Sequence, residues 1–87
     1  SEQFGEKLRG RLTAMFGLEQ SRLVDGADLR DDLGLDSIDL IDLLSALGSE
    51  PGAPELVPED FLDCRTVGDL LERYTAIVTV ETQHEVA

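Results

Sequence analysis

Apolar residues at Phe4, Leu8, Leu12, Met15 and Phe16 recur at close to one helical repeat and gather on a single stripe, which predicts an amphipathic helix over residues 2–17. Lys7, Arg9 and Arg11 fall mostly off that stripe, and Gly17 is placed to cap its end. The pattern then lapses over residues 18–36. A connection of that length is unusual in a compact domain, so an ordered loop is expected, pinned by Leu23, Val24, Leu29, Leu33 and Leu35. Helical spacing resumes over residues 37–47. At roughly 100° per residue, Leu40, Leu43, Leu44 and Leu47 cluster on one side and Ile38, Asp42 and Ser45 on the other, with Asp39 and Ile41 toward the flanks.

Gly48 to Pro54 holds two glycines and two prolines, so the second helix cannot run through it. Pro58 suits a first helical position and Glu59 and Asp60 a first turn, predicting a short third helix over 58–63, anchored by Phe61 and Leu62. So short a helix needs tertiary support and is expected to be the most mobile. Thr66 and Asp69 then form a Thr-x-x-Asp capping signature. It opens a fourth helix over 67–78, with Val67, Leu70, Leu71, Tyr74, Ile77 and Val78 in helical register. Beyond it the pattern decays into a polar tail, 79–87, expected to fray.

Eighty-seven residues allow one domain, and a chain of this size buries only about 60–65% of the surface its unfolded form exposes. The apolar content is carried by Leu, Val, Ile and Ala, with no Trp, which suits small helices better than a sandwich and predicts an all-α fold. Seven basic against nineteen acidic residues give a formal charge of −12. That charge repels nucleic acid and anionic membranes and attracts basic partner surfaces, besides keeping a small protein dispersed. One cysteine, Cys64, excludes an internal disulfide framework and fits a reducing compartment. Without a spanning apolar run or a basic-then-apolar leader, a soluble cytoplasmic chain is expected, and a monomer.

The candidate chemistry concentrates in Asp31-Asp32-Leu33-Gly34-Leu35-Asp36-Ser37-Ile38-Asp39-Leu40-Ile41-Asp42. Ser37 stands where a helix should begin after a turn at Gly34, and its ordinary fate would be a helix cap. Asp36 can do that capping and leave the hydroxyl free. A helix start presents unpaired N–H groups and the positive end of the peptide dipoles, so it would tolerate a phosphate on Ser37. A hydrolase nucleophile is excluded on sequence grounds: the single histidine, His84, lies in the tail, and no Gly-x-Ser-x-Gly elbow surrounds the serine. Asp25 to Asp36 has the length of a calcium loop but not its ligands. Ala27 and Leu29 stand where oxygens belong, Arg30 replaces the required glycine, and Asp36 the terminal glutamate. Cys64 beside Arg65 would have a slightly lowered pKa, yet a lone cysteine after a short helix is usually core filler. No His and Cys cluster suggests a metal.

The fragment Asp32-Leu33-Gly34-Leu35-Asp36-Ser37-Ile38 resembles the attachment motif of the acyl carrier protein family, and the resemblance extends through Leu56-Val57-Pro58-Glu59-Asp60 and Thr66-Val67-Gly68-Asp69-Leu70. It implies a small four-helix bundle, three longer helices and one short, with a long loop between the first two. It also implies that Ser37 receives 4'-phosphopantetheine from coenzyme A through a phosphopantetheinyl transferase with Mg2+, and that the arm's thiol carries acyl groups as thioesters. On this basis Asp36, Ile38, Asp39, Ile41, Asp42 and Ser45 are expected to meet partners. Those partners would be acyltransferases, ketosynthases or acyl-ligases with basic docking surfaces. Leu40, Leu43, Leu44, Phe61, Leu71 and Tyr74 are expected to line or support an acyl pocket. The chain would itself be no enzyme, serving fatty acid or polyketide biosynthesis. The Gly- and Pro-rich link at 48–54 departs from the family pattern, where the second helix is often prolonged by acidic residues. Two other readings share these features: a peptidyl or aminoacyl carrier domain, and an acidic helical adaptor with no prosthetic group.

Overall fold

In the computed structural model, which describes the backbone of residues 2–86 and the side chains of residues 3–79, the first stripe forms α1, Glu2–Phe16. Leu8 and Leu12 are fully buried, whereas Met15, expected on the same stripe, turns toward solvent. Gly17 ends the helix at φ +69°, a left-handed conformation costly for a residue with a Cβ, and its N–H closes the last turn on the Thr13 carbonyl. The second helix, α2, spans Ser37–Gly48, one residue longer than expected; it buries Leu43, Leu44 and Leu47 and leaves Leu40 at the edge. The last helix, α3, spans Val67–Val86 and buries Val67, Leu70 and Tyr74. Phe4 of α1 meets Tyr74 edge to face, ring centroids 6.0 Å apart. Each fully buried leucine in this core is worth about 1.5–3 kcal/mol against exposure.

The loop over 18–36 is ordered by more than its leucines. It contains a 3-10 turn, Gln20–Arg22, that the apolar pattern does not announce. Leu23, Ala27, Leu29, Leu33 and Leu35 are buried, but Val24, expected among the pins, is 59% exposed. Arg9 of α1 holds the loop by donating to the Leu23 carbonyl at 2.8 Å and pairing with Asp25 at 2.6 Å. Farther on, the backbone pairs with the start of α3. Leu29 N–H donates to the Arg65 carbonyl, Val67 N–H to Ala27, and Gly68 N–H to Asp25, around an isolated antiparallel bridge between Asp28 and Thr66. Gly68 permits this approach, since a Cβ there would lie 3.0 Å from the Asp25 carbonyl oxygen. The Asp28 carboxylate accepts from the N–H groups of Arg30 and Asp31, and this backbone bonding, Asp31 first, holds it below the usual carboxylate range.

The expected short helix over 58–63 is instead a 3-10 turn of four residues, Pro58–Phe61. It ends early because the chain must double back. Cys64 N–H closes on the Phe61 carbonyl, and the next residue, Arg65, accepts the Leu29 N–H in the cross-chain pairing. Phe61 is fully buried, while Leu62, expected to anchor beside it, is 70% exposed. Arg73 of α3 ties the turn down by donating to the Asp60 carbonyl and pairing with Asp63. The described residues therefore hold three α-helices and two 3-10 turns, with no strand, rather than four helices. The Thr-x-x-Asp signature does cap α3. The Asp69 carboxylate accepts from the N–H groups of Arg65 and Thr66, and the Thr66 hydroxyl accepts from Asp69 N–H. Where a frayed tail was expected, α3 continues to Val86, through a stretch that has neither glycine nor proline to stop it. Residue 87 and the side chain of His84 lie outside the described residues.

Candidate functional site

Ser37 is the first residue of α2, and its side chain is exposed. The loop reaches it through a turn at Gly34, φ +70°, and through Leu35, whose buried side chain and N–H bond to the Leu29 carbonyl hold the chain one residue before the cap. Asp36 caps the helix. Its carboxylate accepts from Asp39 N–H at 2.9 Å, and the Asp39 carboxylate accepts from Asp36 N–H at 3.2 Å. This reciprocal box satisfies the donors a serine cap would otherwise serve, so the Ser37 hydroxyl is spared. The cap expected of Asp36 is thus present, and Asp39, expected only to meet partners, is also a structural member of the helix start. The sequence signal for it was Asp-x-x-Asp, the same spacing recognised at Thr66 and Asp69.

Ile38, Ile41, Asp42 and Ser45 are exposed on α2, with Ile38 69% and Ile41 44% accessible. Two isoleucines and an aspartate thus share one accessible stretch of helix, exposed apolar surface beside an acidic side chain. Among the described residues no carboxylate of this stretch pairs with a cation: the ion pairs Lys7–Glu50, Arg11–Glu50, Arg9–Asp25 and Arg73–Asp63 all lie elsewhere.

A cavity of about 390 Å3 opens beside Ser37, between the loop, α2 and the segment after the second 3-10 turn. Of the six expected pocket residues only Leu40 lines it. Leu43, Leu44, Phe61 and Tyr74 are packed into the closed core, and Leu71 sits at its margin. The apolar wall is made instead by Leu29, Leu35, Leu40 and Leu62, with Cys64 beside them. Helical periodicity could not have found this group, because it is assembled by backbone pairing between residues 25–29 and 65–68. Cys64 is half-buried, and burial pushes its thiol up, Asp63 adding to the effect; the lowering expected from Arg65 does not occur. Arg30, unremarked in the sequence except as a break in a calcium loop, brings its Nη2 to 3.4 Å from Ser37 Oγ.

The exposed hydroxyl, the cap that spares it, and a cation beside it suit covalent attachment of an anionic group. Among the described residues no cluster of three or more potential metal ligands occurs, and no helix is long and apolar enough to cross a membrane. A family model described as the phosphopantetheine attachment site matches residues 6–74. The chain is 36% identical over 67 residues to the acyl carrier protein of Saccharopolyspora erythraea, covering 77% of this chain and 70% of the relative. It is 37% identical over 68 residues to that of Rhodopseudomonas palustris, covering 77% and 84%. With that of Thermotoga maritima it shares 34% over 70 residues, covering 80% and 85%.

Proposed function

The chain belongs to the phosphopantetheine attachment-site family, and from that membership we propose that Ser37 takes the prosthetic group and that the protein is an acyl carrier. The observation that carries the assignment to this residue is the uncapped, exposed hydroxyl at the first position of α2, spared by the Asp36–Asp39 box. In the transfer, Ser37 Oγ would form the new bond to the β-phosphorus of coenzyme A. The pyrophosphate bond breaks, adenosine 3',5'-bisphosphate departs, and the serine proton goes to a base of the transferase. When bound, the group supplies a thiol on a flexible arm that carries acyl cargo as thioesters. The chain's own part is to hold the attachment point rigid and to present an address. Ile38 and Ile41 offer apolar contact, and Asp42 and Ser45 a polar rim, to partner enzymes with basic surfaces in fatty acid or polyketide assembly.

The test is to incubate the apo protein with coenzyme A and a broad-specificity phosphopantetheinyl transferase and to weigh the product. The wild type should gain the mass of one phosphopantetheine and Ser37→Ala none. No gain in the wild type, or an equal gain in the variant, would remove the assignment.

A further inference from the structure

The seven basic side chains of this chain are not distributed evenly in their use. Lys7, Arg9, Arg11 and Arg73 are paired with carboxylates, and Arg22 donates to the Asp32 carbonyl. The two that remain, Arg30 and Arg65, have no carboxylate at ion-pair distance among the described residues, in a chain with nineteen acidic groups, and both line the cavity beside Ser37. They come from opposite sides of the Asp28–Thr66 bridge, thirty-five positions apart in sequence (65 − 30). Arg30 already touches the Ser37 hydroxyl, at the long distance of 3.4 Å.

Adding a phosphodiester at Ser37 places another negative charge beside Asp28, Asp31 and Asp36, the first of which both arginines already attract at longer range, on a molecule whose formal charge is −12. Helix-start N–H groups cannot offset it fully, because the Asp36 carboxylate already occupies that of Asp39. A guanidinium can, since its planar fork matches the phosphate oxygens and its bonds to an anion are charge-assisted. Resting on the assignment of Ser37 above, we infer that Arg30, backed by Arg65, is a positioning residue for the prosthetic group. Its guanidinium pairs with the phosphate after attachment and turns the first part of the arm over the cavity walled by Leu29, Leu35, Leu40 and Leu62. The arm of the loaded protein is then held at its root rather than free from the serine outward, and an apolar cargo begins its path at the mouth of that cavity.

The test is the 31P NMR spectrum of the holo protein, with the same holo protein unfolded in urea as the reference for an unpaired phosphodiester. Among the described residues the Arg30 side chain makes one hydrogen bond, a long one, and a weak longer-range attraction to Asp28, so Arg30→Gln should keep the wild-type thermal midpoint. In the folded wild type the resonance should be displaced from the reference. Most of the displacement should vanish at about 1 M salt, where the screening length is about 3 Å. Arg30→Gln should abolish the displacement at low salt, Arg65→Gln should reduce it, and Arg30→Lys should keep part of it, having the charge without the fork. Arg11→Gln, which removes the same charge from a pair with Glu50 beyond the other end of α2, should leave it unchanged. A wild-type resonance at the reference position, or an Arg30→Gln spectrum like the wild type, overturns the role of Arg30 and leaves Ser37 modified. A protein that takes up no phosphopantetheine overturns the assignment of Ser37 and this inference with it.

Discussion

Asp36 offers a way to separate what an acidic residue does for the fold from what it does for a partner. Replacing it with alanine removes the 2.9 Å bond from Asp39 N–H and leaves the weaker 3.2 Å return bond to the backbone of residue 36. Loss of an Asp cap costs about 0.5–2 kcal/mol, and because water can reach the released N–H on this exposed turn, about 1 kcal/mol is expected. For a domain of 60–100 residues that is a fall of about 4–8 °C in thermal midpoint, read by circular dichroism. Asp36→Asn keeps the oxygen and removes only the charge; asparagine caps about as well as aspartate, so its midpoint should stay within about 2 °C of the wild type. The loading assay should then divide the same variants differently. If the charge at 36 steers the transferase, Asp36→Asn loads more slowly at low salt although it is as stable as the wild type. Equal destabilisation by asparagine and alanine, or none by alanine, would refute the capping assignment. Equal loading rates for Asp36→Asn and wild type at low salt would confine the residue to the fold.

Three further outcomes follow from other contacts. Asp42, exposed and without a cation partner among the described residues, should lower the loading rate when changed to lysine without moving the thermal midpoint. That difference should shrink with salt, and a salt-independent one would remove the steering role. Gly68→Ala places a Cβ 3.0 Å from the Asp25 carbonyl oxygen and should cost about 1–3 kcal/mol in urea unfolding; a neutral result would mean that the bridge yields without cost. The Glu50 carboxyl is held below its ordinary 4.5 by the hydrogen bond from Lys7 and then that from Arg11, and Lys7 is raised above 10.5, chiefly by Glu50. Glu50 therefore contributes stability that is present above 4.5 and lost as pH falls through its folded value, and Lys7 stability that is present below 10.5 and lost as pH rises through its own. The midpoint difference between wild type and Glu50→Gln should be largest between those limits and should close on the acid side; a difference that persists in acid would refute the pairing.

What could be read from the chain alone is what depends on neighbours in sequence. The leucine spacing of α2, the stripe of α1, the Gly17 stop and the Thr66–Asp69 cap are local, set by a 3.6-residue repeat and by bonds three or four residues long. Ser37 as an exposed hydroxyl not used for capping was legible for the same reason, since that turns on the residue before it and the residue two after it. Tertiary structure decided the rest. The 3-10 form of Pro58–Phe61, the exposure of Val24 and Leu62, and the cavity wall all follow from residues 25–29 lying against 65–68, a backbone pairing with no periodicity to betray it. The same crossing brings Arg65 to the cavity that Arg30 and Ser37 already line, so these two cations, without an ion-pair partner among the described residues, converge only once the loop has closed.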